Sequence, residues 1–238
     1  MNAVHAWAVV PAAGRGSRMG TELPKQYLQL AGRTVLEHTL SALLSHPQID
    51  GVTVALSAND PHWPGMESMH GKPIVAVTGG AERADSVLSA LRHALHSLND
   101  DTWMLVHDAA RPNLHADDLS RLLEVLNAQD AHGAILAARV ADTLKRADAQ
   151  QHIAETVDRS TLWRALTPQV FRRGALRAAL ERAQSQGVVV TDEAMAMERQ
   201  GHAVQLVEGR ADNLKITTPA DLELAAFLLQ QRLLKGSP

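Results

Sequence analysis

Along this chain, short continuous apolar runs alternate with longer stretches in which apolar residues return every three or four positions. The runs are "AWAVVP" (6–11), "GVTVALS" (51–57), "PIVAV" (73–77), "WMLVHD" (103–108), "GAILAA" (133–138) and "AVQLV" (203–207), each short enough for a strand. The periodic stretches predict helices over Val35–Ser45, Glu82–His96, Ala116–Ala128, Arg173–Gln186 and Asp192–Gln200. A last helix is predicted at "TTPADLELAAFLLQQRLL", with Thr218 as its N-cap, Pro219 at the first helical position and Asp221 at the third. Strands that are apolar throughout are buried on both faces, and the intervening helices supply the cover. The pattern therefore predicts an α/β fold with a mostly parallel central sheet. No repeat, low-complexity tract or Pro/Ser linker divides it, so one domain is expected over residues 1–238.

One stretch breaks this rhythm. "RVADTLKRADAQQHIAETVDRSTLWRALTPQ", residues 139–169, contains two similar charged halves, "VADTLKR" and "IAETVDR", neither suited to a core. The expected form is a two-stranded arm with a polar tip near Ala147–Gln151. An isolated hairpin is marginally stable in water, so this arm is expected to pack on something, such as a second copy of the chain.

Composition narrows the function classes. The formal charge is −3, which gives no global basic field for a nucleic acid. Cysteine is absent, which excludes a disulfide framework and thiolate chemistry. The N-terminal "MNAVHAWAVVPAAG" lacks the cationic and long apolar regions of a signal peptide. No apolar run reaches the roughly 18 residues of a membrane span. A cytoplasmic protein without a membrane or nucleic-acid partner is expected. Any positive charge used on a ligand must then be local.

Such local charge follows the first run. "VVPAAGRGSRMG" (9–20) carries Gly14, Gly16 and Gly20 with Arg15 and Arg18, and Lys25 follows in "PKQY". Ligands of open parallel sheets bind beyond the carboxyl ends of the strands, where this loop would lie. Glycines let backbone amides approach an anion closely, and the basic side chains suit a triphosphate. No Lys-Ser/Thr pair follows Gly20, so this is not a Walker loop, and the glycine spacing misses the dinucleotide fingerprint by one residue. A surface turn with solvated arginines is the plain alternative.

Further candidates lie down the chain. In "VHDAARP" (106–112), Asp108 at a strand end is placed either to hold Mg²⁺ and phosphate or to fix the loop through an Asp–Arg pair. His107 beside it reads as structural. In "TGGAERADSV" (78–87), Gly79 and Gly80 would let a flat base approach the backbone and Ser86 would offer a hydroxyl, or the segment simply starts a helix. "EGRADNLKITTP" (208–219) sets Asp212 and Lys215 before the last helix, with Lys215 in an apolar context. In "TDEA" (191–194), Thr191 reads as an N-cap, with Asp192 and Glu193 complementing the helix dipole. The twelve histidines show no zinc-binding spacing.

Taken in order, "PAAGRGSRMG…PKQY", "GGAERADSV", "VHDAARP", "DTLKR…VDR…LTPQ", "TDEA" and "EGRADNLKITTP" resemble the 2-C-methyl-D-erythritol 4-phosphate cytidylyltransferases of the non-mevalonate isoprenoid pathway. Ala81 is a departure, since relatives often carry aspartate after the glycine pair. The resemblance implies a Rossmann-like nucleotidyltransferase domain whose 139–169 arm makes a homodimer. It implies transfer of CMP from CTP to methylerythritol phosphate with Mg²⁺. Carried over by motif, Arg18, Lys25, Arg159 and Lys215 would be catalytic. Pro11, Ala12, Ala13, Gly14, Gly16, Gly80, Arg83, Ser86 and Asp108 would surround the nucleotide. Ala109, Arg111, Thr143, Thr167 and Thr191 would line the acceptor, and Asp108 and Asp212 would approach the metal. A cytidylyltransferase for another polyol phosphate, such as ribitol 5-phosphate, is the alternative within enzymes. A nicotinamide-dependent oxidoreductase lacks the loop spacing, and a silent nucleotide binder would not need Arg18, Lys25 and Lys215 together.

Overall fold

The computed structural model describes residues 3–14, 20, 23–93 and 98–234, apart from the side chain of residue 233. Its strands are β1 (Ala6–Pro11), β2 (Gln29–Leu30), β3 (Arg33–Thr34), β4 (Ile49–Leu56), β5 (Ser68–Met69), β6 (Lys72–Thr78), β7 (Trp103–Val106), β8 (Gly133–Arg139), β9 (Leu144–Ala147), β10 (Ile153–Val157), β11 (Trp163–Arg172) and β12 (Gln205–Glu208). Its helices are α1 (Val35–Leu44), α2 (Arg83–Arg92), α3 (Ala116–Glu124), α4 (Arg173–Ser185), α5 (Glu193–Glu198) and α6 (Pro219–Leu234), with 3₁₀ turns at Lys25–Tyr27 and Val125–Asn127. None of these helices is long and apolar enough to cross a membrane.

The main sheet has the order β12-β8-β11-β7-β1-β4-β6-β5. β1 runs parallel to both β4 and β7, β4 to β6, and β8 to β12. The chain leaves β1 through α1 to β4 and β6 on one side, then returns through α2 to β7 on the other. The gap beyond the carboxyl ends of β1 and β7 is thus the topological switch point, where open α/β sheets bind ligands.

Alternation along β1 shows why its apolar run is continuous. Ala6, Ala8 and Val10 join one core with Leu36, Leu40 and Leu43 of α1 and Leu119, Leu122 and Leu123 of α3. Trp7 and Val9 join a second core with Val87 and Leu91 of α2 and Leu176 and Leu180 of α4. A third cluster, including Leu30, Val35, Ala110, Ile216 and Leu229, fastens α6 and the segment before it to the β7 loop.

The structure corrects the 139–169 segment. Only β9 and β10 form the protruding pair, joined antiparallel to each other, and their side chains are exposed apart from the half-buried Val157. Residues 163–172 instead form β11, a central strand antiparallel to both β7 and β8, with Leu166, Val170 and Phe171 in the cores. α2 closes at Arg92 rather than His96, residues 94–97 lying outside the described residues. α3 gives way at Val125 to a 3₁₀ turn. Thr218 caps α6 as expected, its Oγ1 accepting the Asp221 N–H at 3.3 Å. The cap of α5, however, is Asp192, which accepts the Met195 N–H at 3.0 Å, so Thr191 lies one residue outside it.

Candidate active site

A cavity opens at the switch point. Its walls come from the loop after β1 (Pro11 to Gly14), the turn after β6 (Gly80 to Arg83), the loop after β7 (Asp108 to Ala110), the turn bearing Lys25, and Lys215. The sheet therefore gathers residues as far apart in sequence as Pro11 and Lys215.

The centre of this site is Asp108, 6% exposed. Its Oδ1 accepts Arg83 Nε at 2.8 Å, and its Oδ2 accepts Arg111 Nε at 3.2 Å and lies 3.0 Å from Lys215 Nζ. Burial alone would raise the Asp108 carboxyl, but the charges of Arg83, Lys215 and Arg111 override it and hold the group well below the usual carboxylate range. Arg83 is shared: its Nη1 and Nη2 donate to the Glu193 carboxylate at 2.6 and 3.0 Å. Burial opposes the Arg83 charge, yet Glu193 and Asp108 together push its pKa up. Lys25 Nζ donates to the Ile216 carbonyl at 2.8 Å, one residue from Lys215. Arg83, Arg111 and Lys215 thus hold Asp108, Arg83 also holds Glu193, and Lys25 and Lys215 bring positive charge to the wall of the cavity.

The loops are fixed by buried polar contacts. Thr167 Oγ1 accepts the Asp108 N–H at 3.1 Å and meets His107 Nδ1 at 3.0 Å. The other ring nitrogen of His107 lies 3.0 Å from the Arg111 carbonyl. His107 is fully buried, and burial lowers its pKa to about 4, so the ring is neutral and structural. Arg111 Nη1 donates to Asn213 O at 2.7 Å, and Asn213 Nδ2 to Thr167 O at 2.7 Å. Arg111 and Thr167 therefore brace the cavity from behind.

The glycine pair after β6 has a packing reason. A Cβ on Gly79 would come within 2.7 Å of Ser86 Oγ and 2.9 Å of the Ala13 Cβ, and one on Gly80 would run into Asp85. The Ser86 hydroxyl accepts the Gly80 N–H at 3.1 Å, so it shapes the turn as well as lining the cavity. Gly14 has open space around it instead.

Of the residues expected at the site, Pro11, Ala12, Ala13, Gly14, Lys25, Gly80, Arg83, Ser86, Asp108, Ala109 and Lys215 line this cavity. Gly16 and Arg18 lie outside the described residues. Thr143 and Arg159 sit on the exposed arm, where an Arg159 Nη1 donates to Ala141 O, and neither lines the cavity of its own chain. Thr191 is exposed, its Oγ1 3.5 Å from Met195 Sδ. Asp212 is held 3.0 Å from His115 Nε2 and is not among the residues that line this cavity. Among the described residues no group of three His, Cys, Asp or Glu side chains could cage a metal ion. The carboxylates on the wall that could meet a divalent cation are the buried Asp108, already paired with Arg83, Arg111 and Lys215, and the exposed Glu82.

Two contributors escape a reading of the sequence, Gln26 and Glu193. Gln26, 3% exposed, donates from Nε2 to Ala12 O at 2.7 Å and Gly14 O at 3.2 Å. Glu193 reads in the sequence only as a complement to the helix dipole. Its immediate neighbour, the capping residue Asp192, is fixed by Gln169 Nε2 at 2.9 Å, and Gln169 Oε1 accepts the Ala194 N–H at 2.9 Å. A single sequence marks neither residue, because burial of a polar side chain is a tertiary property.

Comparison with known proteins agrees with this architecture. The 2-C-methyl-D-erythritol 4-phosphate cytidylyltransferase of Pseudomonas aeruginosa strain UCBPP-PA14 is 57% identical over 217 residues, 91% of this chain and 92% of that protein. The enzyme of the same name from Stenotrophomonas maltophilia strain R551-3 is 56% identical over 226 residues, 95% of this chain and 97% of that protein. A crystal structure of a 4-diphosphocytidyl-2C-methyl-D-erythritol synthase superposes with a TM-score of 0.80 at 37% identity, covering 95% of this chain and 99% of the other. The Thermus thermophilus cytidylyltransferase gives 0.75 at 35% identity, covering 95% and 100%. Residues 6–231 match the family model described as IspD, 2-C-methyl-D-erythritol 4-phosphate cytidylyltransferase, and the chain belongs to that family.

Proposed function

We infer that this protein transfers CMP from CTP to 2-C-methyl-D-erythritol 4-phosphate, giving 4-diphosphocytidyl-2-C-methyl-D-erythritol and pyrophosphate. The observation that carries the reading at the level of residues is the meeting of Lys25, Lys215 and Asp108 at one sheet edge. An oxygen of the acceptor phosphate attacks the α-phosphorus of CTP, a new P–O bond forms, and the bond to the β-phosphate breaks in line. The attacking phosphate is already anionic, so no general base is needed. The protein's work is positioning and neutralising charge.

Lys25 is assigned to the triphosphate, together with Arg18 from the glycine loop. Lys215, held at Asp108, is assigned to the acceptor phosphate. Gly80, Ser86 and the Ala12–Gly14 backbone surround the cytidine. Mg²⁺ on the triphosphate would offset its charge and orient the leaving group, with Asp108 as a protein carboxylate within reach. Arg159 and Thr143 are assigned to the acceptor of a second copy, delivered by the β9–β10 arm of a homodimer. What supports this is that, among the described residues, β9 and β10 pair with each other and with no other strand, and that Ile153 is 68% exposed. The reaction is tested by pyrophosphate release from CTP with a panel of polyol phosphates. Methylerythritol phosphate should be used far faster than ribitol 5-phosphate; the reverse order would assign a different acceptor.

A further inference from the structure

Gln26 occupies a position in the cavity that none of the charged residues explains. It follows Lys25 in the 3₁₀ turn Lys25–Tyr27, and the two neighbours grip opposite walls. Lys25 Nζ holds the Ile216 carbonyl at 2.8 Å, while Gln26 Nε2 holds Ala12 O at 2.7 Å and Gly14 O at 3.2 Å. The amide is 3% exposed, and a buried donor left without acceptors would be unfavourable, so this contact is strongly specified. Ala12 N–H is already committed to Ala55 O at 2.7 Å. Among the described residues the N–H groups of Ala13 and Gly14 make no hydrogen bond, and both residues line the cavity.

We propose that Gln26 is the positioning residue of the nucleotide loop: by capturing the carbonyls on either side, it holds the Ala13 and Gly14 amides as fixed donors for acceptor atoms of the nucleotide. The proposal rests on the reading of this cavity as the CTP site. It gives Gln26 a role distinct from that of Lys25, since it touches backbone and not the reacting atoms. A loop preorganised in this way binds without losing conformational entropy at the moment of binding.

Two variants test it. Q26M keeps volume and removes the donor. Q26E keeps shape and places a carboxylate against two carbonyl oxygens, a repulsion that protonation would relieve. In Q26M, kcat/KM for CTP should fall about tenfold to hundredfold, with the KM for the acceptor unchanged and the melting temperature near wild type. In Q26E the loss should be larger at pH 8, and its kcat/KM for CTP relative to wild type should rise as the pH is lowered to 6. Wild-type kcat/KM for CTP in Q26M, parallel weakening of both substrates, or a pH-independent Q26E ratio would overturn the proposal. Should wild type itself release no pyrophosphate from CTP, the reaction assignment fails separately. Calorimetric CTP affinity then decides the role of Gln26: weaker binding in both variants upholds it and unchanged binding overturns it.

Discussion

Lys25 Nζ lies 2.8 Å from the carbonyl oxygen of Ile216, a residue 191 positions away in sequence. Ile216 is itself fixed, because its N–H donates to Ala110 O at 2.8 Å and its side chain is fully buried. This chain of contacts ties the turn after the glycine loop to the loop after β7 and to the segment that carries Lys215. It explains how two lysines far apart in sequence serve one cavity.

Lys25→Ala should lower turnover far more than it weakens CTP binding. The charge assigned to Lys25 develops at the transferring phosphate, so its effect belongs to the transition state. The expected loss is about 10²–10³-fold in kcat, as for removal of one oxyanion donor. Steady-state kinetics check it. An unchanged kcat with only a raised KM for CTP would move Lys25 to simple ground-state binding.

CTP should be preferred over UTP at subsaturating concentration. Cytosine presents an amino donor and a ring-nitrogen acceptor where uracil presents a carbonyl and an N–H. A backbone wall from Ala12 to Gly14 and Gly80 that matches one pattern leaves unpaired groups with the other. The mismatch costs roughly 1–3 kcal/mol, or about fivefold to 150-fold in kcat/KM. Competition assays with both nucleotides measure the ratio, and a value near one would rule out base reading by this wall.

How much of this is legible in the sequence depends on which residues carry local signals. The β1 loop, the α6 cap and the Asp108 strand end are readable because each sits where an apolar run stops and a turn or helix begins. β11 is not. Its Thr167 and Gln169 are polar, so the segment resembles the charged arm beside it, yet they are 4% and 1% exposed. Their side chains are buried because His107, Asp108, Asp192 and Ala194 supply partners from distant elements. Polar residues satisfied across a sheet look like surface residues in one dimension. The partner of Asp212 is likewise not legible. Its motif sits beside Lys215, but its carboxylate bonds to His115 at the start of α3.

Stability should fall on acidification through His107. Burial depresses this imidazole from 6.5 to about 4, so between those values the unfolded chain binds the proton and the folded chain does not. The contribution is therefore complete above pH 6.5 and lost as the pH falls toward 4, reaching on the order of 3 kcal/mol. Buried His46, whose pKa is also lowered by burial and by Lys72, adds in the same direction. Urea unfolding at a series of pH values checks this against His107→Gln, whose curve should be flatter in that window. Identical pH dependence in the two proteins would contradict the assignment.

Each active site should contain residues of both subunits. Arg159 lies on the arm and Lys25 in the cavity, and within one chain they do not line the same space. In a symmetric dimer with exchanged arms, mixing Lys25→Ala with Arg159→Ala protein gives heterodimers in which one site carries both lesions and the other none. Activity should return to about a quarter of wild type after random subunit exchange, if the sites act independently. No recovery after demonstrated exchange would place both residues in sites of a single chain.

The central claim, attack of an acceptor phosphate on the α-phosphorus of CTP, is tested most directly by following labelled phosphorus. With methylerythritol phosphate present, label in the α-position of CTP should move into the cytidylyl product, and label in the γ-position should appear in pyrophosphate. Release of γ-label as inorganic phosphate, or α-label remaining in free CMP, would contradict the account.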